Sequence, residues 1–344
     1  MLPNTIVKIP HGKRPAIANV KTTLPIFHAR NGLAIIAKAI LTPGSKVLLP
    51  AYHCPALVEP FVWAGCDIDF YPLNEDLSPD AEVLKEKLPT AEAIVLVPFF
   101  GFSRDIAALV ELARENQCIP IDDLAHAAHS SVLHGDYGVT SLVKFYPVTG
   151  GGELLIANSV ANTAVENWWQ ANRFQTWQWM GKQLFRKAFL KLRGNRPMNH
   201  AATSRYRYFD PKNVGEPIAP RDIRQIACQD HEEIAFARRD TYQKLDNFFR
   251  ESRLGQPLFT GLGPNDVPYV YPFVLNKPEY FDVIRNLAIP LYRWEELCPS
   301  GCETSNTYRD RLIQLPCHQD MDDNDIGKLI SKLKVIEDPV YISV

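Results

Sequence analysis

The sequence predicts an α/β fold, a large domain on a mostly parallel sheet followed by a smaller C-terminal α+β domain. Three observations predict it. From residue 30 to 158, short apolar runs alternate with segments of helical periodicity, the order expected of strand–helix–strand units. At 344 residues with 46% hydrophobic content, the chain can bury a large core and exceeds one average domain. Beyond a long helical pattern over 221–249, strand and helix patterns resume on a smaller scale, which puts the boundary near residue 232 and the domains at 1–232 and 233–344.

The predicted strands of the first domain are KVLLPA (46–51), DIDFYPL (67–73), AIVLVPFF (93–100), CIPIDD (118–123), LVKFY (142–146) and ELLIA (153–157). Each is short and rich in the β-branched and aromatic residues that suit a pleated, buried surface. Between them, GLAIIAKAIL (32–41), PALVEPFVWAG (55–65), DAEVLKEKL (80–88) and DIAALVELAREN (105–116) repeat their apolar residues at helical spacing. In the second domain, YVYPFVL (269–275) reads as a strand, and EYFDVIRNLA (279–288) and a segment near 322–336 read as helices.

A formal net charge of −2 gives no global attraction to nucleic acid or anionic lipid. The seven cysteines are odd in number and scattered, without the paired spacing of a zinc ribbon or redox motif, so a reduced, cytoplasmic setting and no metal are expected. Cys298 and Cys302 lie one helical turn apart, but no neighbours complete a metal set. The start, MLPNTIVKIPHGK, lacks the apolar core of a signal peptide, and Pro or charge breaks every run long enough to span a bilayer.

Ligands of an open parallel sheet sit beyond the carboxyl ends of its strands, so polar residues at several predicted strand ends should converge. Lys144, the sole lysine between Lys87 and Lys182, lies within SLVKFYPVTGGGELL among Leu142, Val143, Phe145 and Tyr146. Burial lowers the pKa of such an amine and makes it a nucleophile able to form a Schiff base. In PIDDLAHAAH, Asp122 or Asp123 could keep the ring nitrogen of pyridoxal phosphate protonated, and His126 and His129 follow. HARNGLAII opens a helix at a polar turn with Arg30, Asn31 and Gly32, where free N–H groups suit a phosphate; Ser141 could add a hydroxyl. LLPAYHCP ends a strand in Tyr52 and His53, either of which could cover a flat cofactor.

Taken singly, each motif has a plainer explanation. A lone lysine in an apolar run often reaches water by snorkelling, an acidic pair often caps a helix, and a glycine triplet often makes a tight turn. Together, ARNGLAIIAKAILTPGSKVLLPAYHCP, PIDDLAHA, SLVKFYPVTGGGELL and RLIQLPCHQDMDDNDI resemble, in order and spacing, the DegT/StrS family of sugar aminotransferases. The resemblance covers residues 25–160 well and the last third weakly. It implies the three-layer αβα large domain of fold type I pyridoxal-phosphate enzymes, and a homodimer whose sites are completed by the partner chain, with RDIRQI or ARRD as candidate contributors. It implies Lys144 as the cofactor-bound lysine, Asp123 as the partner of the ring nitrogen, His126 near the phenolic oxygen, and Arg30, Asn31 and Ser141 around the phosphate. An amino donor such as glutamate or glutamine and a keto group on a nucleotide-linked sugar would be the substrates, in polysaccharide or cell-surface glycan synthesis.

Two positions depart from the family pattern. Sliding KFYPVT onto the common SFYPTK form would put Thr149 at the lysine position and leave an inert protein. The register that keeps Lys144 matches a branch with the lysine several residues before a glycine pair, and is preferred. The ring-stacking position falls on Cys54, leaving Tyr52 or His53 to substitute. A dehydratase or lyase with the same cofactor, and a non-catalytic sugar-binding or regulatory protein, remain as alternatives. Finally, the stretch from Asn167 to Phe209 has no acidic residue and carries four tryptophans among nine cations. It reads as a helix packed at a subunit interface, with weak membrane contact as the second reading.

Overall fold

The computed structural model describes residues 16–102, 106–130, 132–173 and 206–337. The first sheet is built from β1 (Val20–Ile26), β2 (Lys46–Pro50), β3 (Asp67–Tyr71), β4 (Ala93–Leu96), β5 (Ile119–Leu124), β6 (Tyr137–Ser141) and β7 (Gly152–Ala157), in the spatial order β1-β7-β6-β5-β4-β2-β3. From β3 through β6 all neighbours are parallel. Strand β7 runs antiparallel between β6 and β1, so β1 points the same way as β6. The ends of β1, β2, β4, β5 and β6 therefore share one edge.

Strand sequences such as VLL are apolar throughout because both faces of the sheet are covered. Val47 and Leu49 pack on one side with α1 (Ala29–Ile40) and α2 (Pro55–Ala64). Leu48, Ile94 and Leu96 face the other side, toward α3 (Ala81–Lys87) and α4 (Ala107–Glu115). This alternation makes the three layers, and each fully buried leucine contributes about 1.5–3 kcal/mol. Gly32 sits where α1 crosses the sheet, and an added Cβ would lie 2.6 Å from Ile26 and 2.7 Å from Val139.

Helix α5, described over 164–173, leads out of this layer. After it come α6 (Pro220–Ala227) and α7 (His231–Phe249), then a second sheet of β8 (Gly255–Pro257), β9 (Val270–Leu275), β10 (Tyr292–Arg293) and β11 (Leu312–Pro316), ordered β10-β11-β9-β8 and antiparallel. Helices α8 (Tyr280–Asn286), α9 (Glu303–Arg311) and α10 (Asp323–Ile336) accompany it. Aromatic side chains of α7 and β9 (Tyr242, Phe249, Tyr271, Phe273) continue the core that lies under α3 and α4.

The mixed α/β architecture agrees with expectation, and several local readings do not. The run LVKFY is not a strand: Leu142–Lys144 form one 3-10 turn after β6. Its apolar residues are instead buried in a cluster with Ile218, Ile226 and Ile234, which satisfies the same pattern without sheet pairing. Strands β1 and β6 were not anticipated, and neither were α9 and β11. The helix read across 221–249 is two helices, because Asp230 accepts hydrogen bonds from the Glu232 and Glu233 amides and starts a new one. The initial MLPNTIVKIPHGK and most of the basic stretch, 174–205, lie outside the described residues. Within the described part Trp169 is buried in the large-domain core, with Arg173 over its ring at 4.5 Å. Among the described residues no helix is long and apolar enough to cross a membrane, and no group of three potential ligands could hold a metal.

Candidate active site

The shared strand edge encloses a cavity of about 180 Å³. Residues from the ends of five strands line it: His28, Ala29 and Arg30 after β1; Tyr52, His53 and Cys54 after β2; Val97 and Phe99 after β4; Asp123, Ala125 and His126 at β5; Ser141, Val143 and Lys144 at β6. Trp294, just beyond β10, reaches in from the second sheet.

Lys144 is half-buried, and burial lowers its amine pKa to about 8 even though Asp123 nearby pulls the other way. Burial raises the Asp123 carboxyl, and the Lys144 charge offsets part of that rise. Its Oδ1 accepts a hydrogen bond from the Ala125 amide at 3.0 Å. Adjacent strand residues face opposite sides, so Asp122 points away from the cavity. It is fully buried, and its Oδ2 accepts from the His134 and Gly135 amides at 2.8 and 3.0 Å, pinning that loop. The sequence left the two acids open; the structure divides them.

His126 is buried between Phe100 and Tyr269, whose rings lie nearly parallel to it with centroids 5.6 and 5.0 Å away. The Phe100 amide donates to His126 Nδ1 at 3.4 Å. With its pKa driven far down by burial and then by Lys144, the ring is neutral and carries its proton on Nε2. Phe100 makes this contact from the left-handed backbone region, at φ 60°, a strained setting for a phenylalanine. His129 lies off the cavity, beside Tyr146.

At the other end, Arg30 is half-buried, with its pKa lowered by burial. Among the described residues neither its guanidinium nor the Lys144 amine has a hydrogen-bond acceptor. His28, missed in the sequence, lies beside it, its pKa lowered to about 4 by burial and by Arg30. The Asn31 and Gly32 amides bond back to the His28 carbonyl, which leaves those of Ala29 and Arg30 as the open donors of the first turn. Asn31 and Gly32 do not line the cavity. The Asn31 side chain donates to the Asn213 carbonyl, and Gly32 is a packing glycine.

The two candidate covers are also committed elsewhere. His53 stacks on Phe70 at 4.9 Å, holds the Pro50 and Ala51 carbonyls through Nδ1, and accepts from the Cys298 amide at Nε2. Tyr52 is fully buried and stacks on Trp294 at 5.0 Å. Cys54 borders the cavity and starts α2. Thr149 is outside it, with its hydroxyl on Asp222 at 2.8 Å. Asp222, Arg238 and Arg239, from the two segments expected to reach a partner, make hydrogen bonds within the chain.

Residues 26–153 match the DegT/DnrJ/EryC1/StrS aminotransferase family. The resemblance drawn from the motifs is confirmed over the segment that carries most of the cavity, and the match supports an enzyme of the aminotransferase class. No curated protein matches the chain in sequence. Among solved structures, the apo form of the sugar aminotransferase Spr1654 from Streptococcus pneumoniae superimposes with a TM-score of 0.71 at 15% identity, covering 94% of this chain and 88% of that one. PseC of Helicobacter pylori, an aminotransferase in pseudoaminic acid biosynthesis, gives 0.67 at 15% with the same coverage. The sugar aminotransferase CalS13 from Micromonospora echinospora gives 0.65 at 15%, covering 91% and 87%. These likenesses establish the fold.

Enzymes of this family use pyridoxal phosphate, and the cavity fits that group. A nucleophilic amine and a buried carboxyl stand at one end, and an unpaired guanidinium with open helix-start amides stands at the other. Lys144 and Asp123 would hold the aldehyde and ring ends, and Arg30, the open amides and Ser141 the phosphate.

Proposed function

We propose that this chain is a pyridoxal-phosphate-dependent aminotransferase that moves an amino group from glutamate or glutamine onto a keto group of a nucleotide-linked sugar. It would act in the cytoplasm as a homodimer, in polysaccharide or cell-surface glycan synthesis. The observation that carries the proposal is that Lys144 and Asp123 line one cavity, each with its charge disfavoured by burial.

The bound cofactor supplies an aldehyde and an electron-withdrawing ring. A Lys144 pKa near 8 leaves a useful fraction of neutral amine at neutral pH, so Nζ can attack an aldehyde and later carry a proton to and from the substrate carbon. Asp123, held by the Ala125 amide, would accept the proton-bearing ring nitrogen at its carboxylate. His126 offers Nε2–H as a fixed donor. Arg30 and the open amides of α1 would hold the phosphate, while Trp294 and Phe99 limit water. The sugar is inferred from the sugar aminotransferases that share the fold, and the nucleotide from the family resemblance alone.

Purified protein mixed with pyridoxal phosphate should turn yellow, be fixed by borohydride as an adduct on Lys144, and bleach on adding glutamate. Yellow protein indifferent to amino donors would point to lyase chemistry, and protein that stays colourless would overturn the proposal. A screen of keto-sugar nucleotides then identifies the acceptor.

A further inference from the structure

One buried cation has no ion pair. Arg238, on α7, is 2% exposed, and among the described residues no carboxylate lies within ion-pair distance of it. Burying a charge without a counter-ion is costly unless its donors are all satisfied by hydrogen bonds. Here neutral acceptors do that. Nη1 donates to the carbonyls of Pro268, Tyr269 and Cys317 at 3.1, 3.1 and 3.0 Å, and Nε donates to Gln319 Oε1 at 2.9 Å. Nη2 donates to the Lys144 carbonyl at 3.3 Å, and the guanidinium lies 4.7 Å from the Phe145 ring centroid. Gln319 completes the bracket by donating to the Phe145 carbonyl at 2.9 Å.

These contacts join three separate pieces of chain. One is the 3-10 turn that carries Lys144. The second is the lead-in to β9, where the Tyr269 ring lies 5.2 Å from the Lys144 amine and stacks on His126. The third is the end of β11. A guanidinium can serve so many acceptors at fixed angles, whereas an ammonium keeps the charge but loses the fork.

We infer that Arg238 is the positioning residue for Lys144, locking the lysine turn to the second sheet so that the amine stays in the cavity beside Asp123 and Tyr269. This rests on the functional reading above and deepens it. The role differs from stability alone, because it sets where the amine points. The groups facing that amine are Asp123, Arg30, Cys54 and His126 from the large sheet and the Tyr269 ring from the lead-in to β9, and the bracket ties the lysine turn to that same lead-in.

The test compares the full-length chain with Arg238→Lys and Gln319→Leu. Each protein is labelled with acetic anhydride across a pH series, and modification of Lys144 is read by peptide mass spectrometry beside a thermal melt. Wild type should show a midpoint near 8. Arg238→Lys keeps the charge, so a rise of about one pH unit, or about fivefold less labelling at pH 8, reports an amine released toward solvent. Gln319→Leu should move the same way by less, and it carries the test should Arg238→Lys fail to fold. A lower melting temperature with the midpoint unmoved in the folded variants would overturn the inference. Borohydride trapping of pyridoxal phosphate on wild type is scored separately. A midpoint shift without a trapped adduct would leave the positioning role standing and remove the cofactor reading.

Discussion

The strand-end cavity and the packing beneath α7 both bury charge, and they treat it in opposite ways. Under α7, Asp246 is buried with Arg250 at 2.7 Å and the Tyr271 hydroxyl at 3.1 Å, and the Arg238 fork is filled with acceptors. In the cavity, Arg30 and Lys144 have no acceptor among the described residues, and the Asp123 carboxyl is pushed up. Satisfied polar groups hold a fold together, whereas buried groups left wanting a partner mark where a ligand completes them.

The largest expected effect is at the lysine. Lys144→Ala should remove the borohydride-fixed adduct and lower transamination by about 10²–10⁴-fold, the range lost with a general acid–base group; near-normal turnover would erase the distinction between the two regions. Next come the neighbouring acids. Asp123→Asn should cut the rate by roughly 100-fold in turnover assays while the melt stays close to wild type. Asp122→Ala should spare the rate per folded molecule and cost about 1–3 kcal/mol in denaturant unfolding, because two buried amides lose their acceptor.

A pH series sharpens the comparison further. The folded pKa of Lys144, about 8, lies below its unfolded value of 10.5. Below pH 8 both states are protonated and the burial penalty is fully present. Between 8 and 10.5 the unfolded chain binds more protons, so stability rises with pH, and above 10.5 the penalty is gone. The melting temperature of cofactor-free wild type minus that of Lys144→Met should therefore climb across that window. The smallest effect belongs to Thr149→Ala, which loses one hydrogen bond to Asp222, worth about 0.5–1.5 kcal/mol, and should leave activity unchanged. A large activity loss there would bring Thr149 into the reaction and blur the line between the two regions.

Much of this was legible in the sequence. Strands β2 and β4 announce themselves because both-side burial makes VLL and AIVL apolar without interruption; β3, β5 and β7 keep enough apolar residues to read as strands despite their acids, and the residues at the strand ends carry the polar motifs. What misled was the same signal where burial has another cause: Leu142, Phe145 and Tyr146 are apolar for a cluster with α6 and α7, not for pairing. Strand β1, VKTTLPI, carries a lysine and two threonines that hide it, although its edge position explains them. His28 and Trp294 escaped notice since a single ring gives no period, and the Trp294 contact joins residues far apart in the chain. Asn31 looked like a site residue by its position along the sequence, but its side chain is turned to Asn213 by folding that a linear motif does not encode, and His53 lines the cavity while its ring is held against Phe70.

Strand β1 pairs with β7, Val20 lying opposite Ala157. The turn after β1 that carries Arg30 is thus fixed on the cavity by residues made well over a hundred codons later. During synthesis the amino-terminal stretch must wait, unpaired, for that partner to emerge, and a long loop has to close before the cradle exists. Closure of the cavity is consequently a late event in the life of the nascent polypeptide, and a chain ending before Gly152 would lack the strand that holds β1 in place.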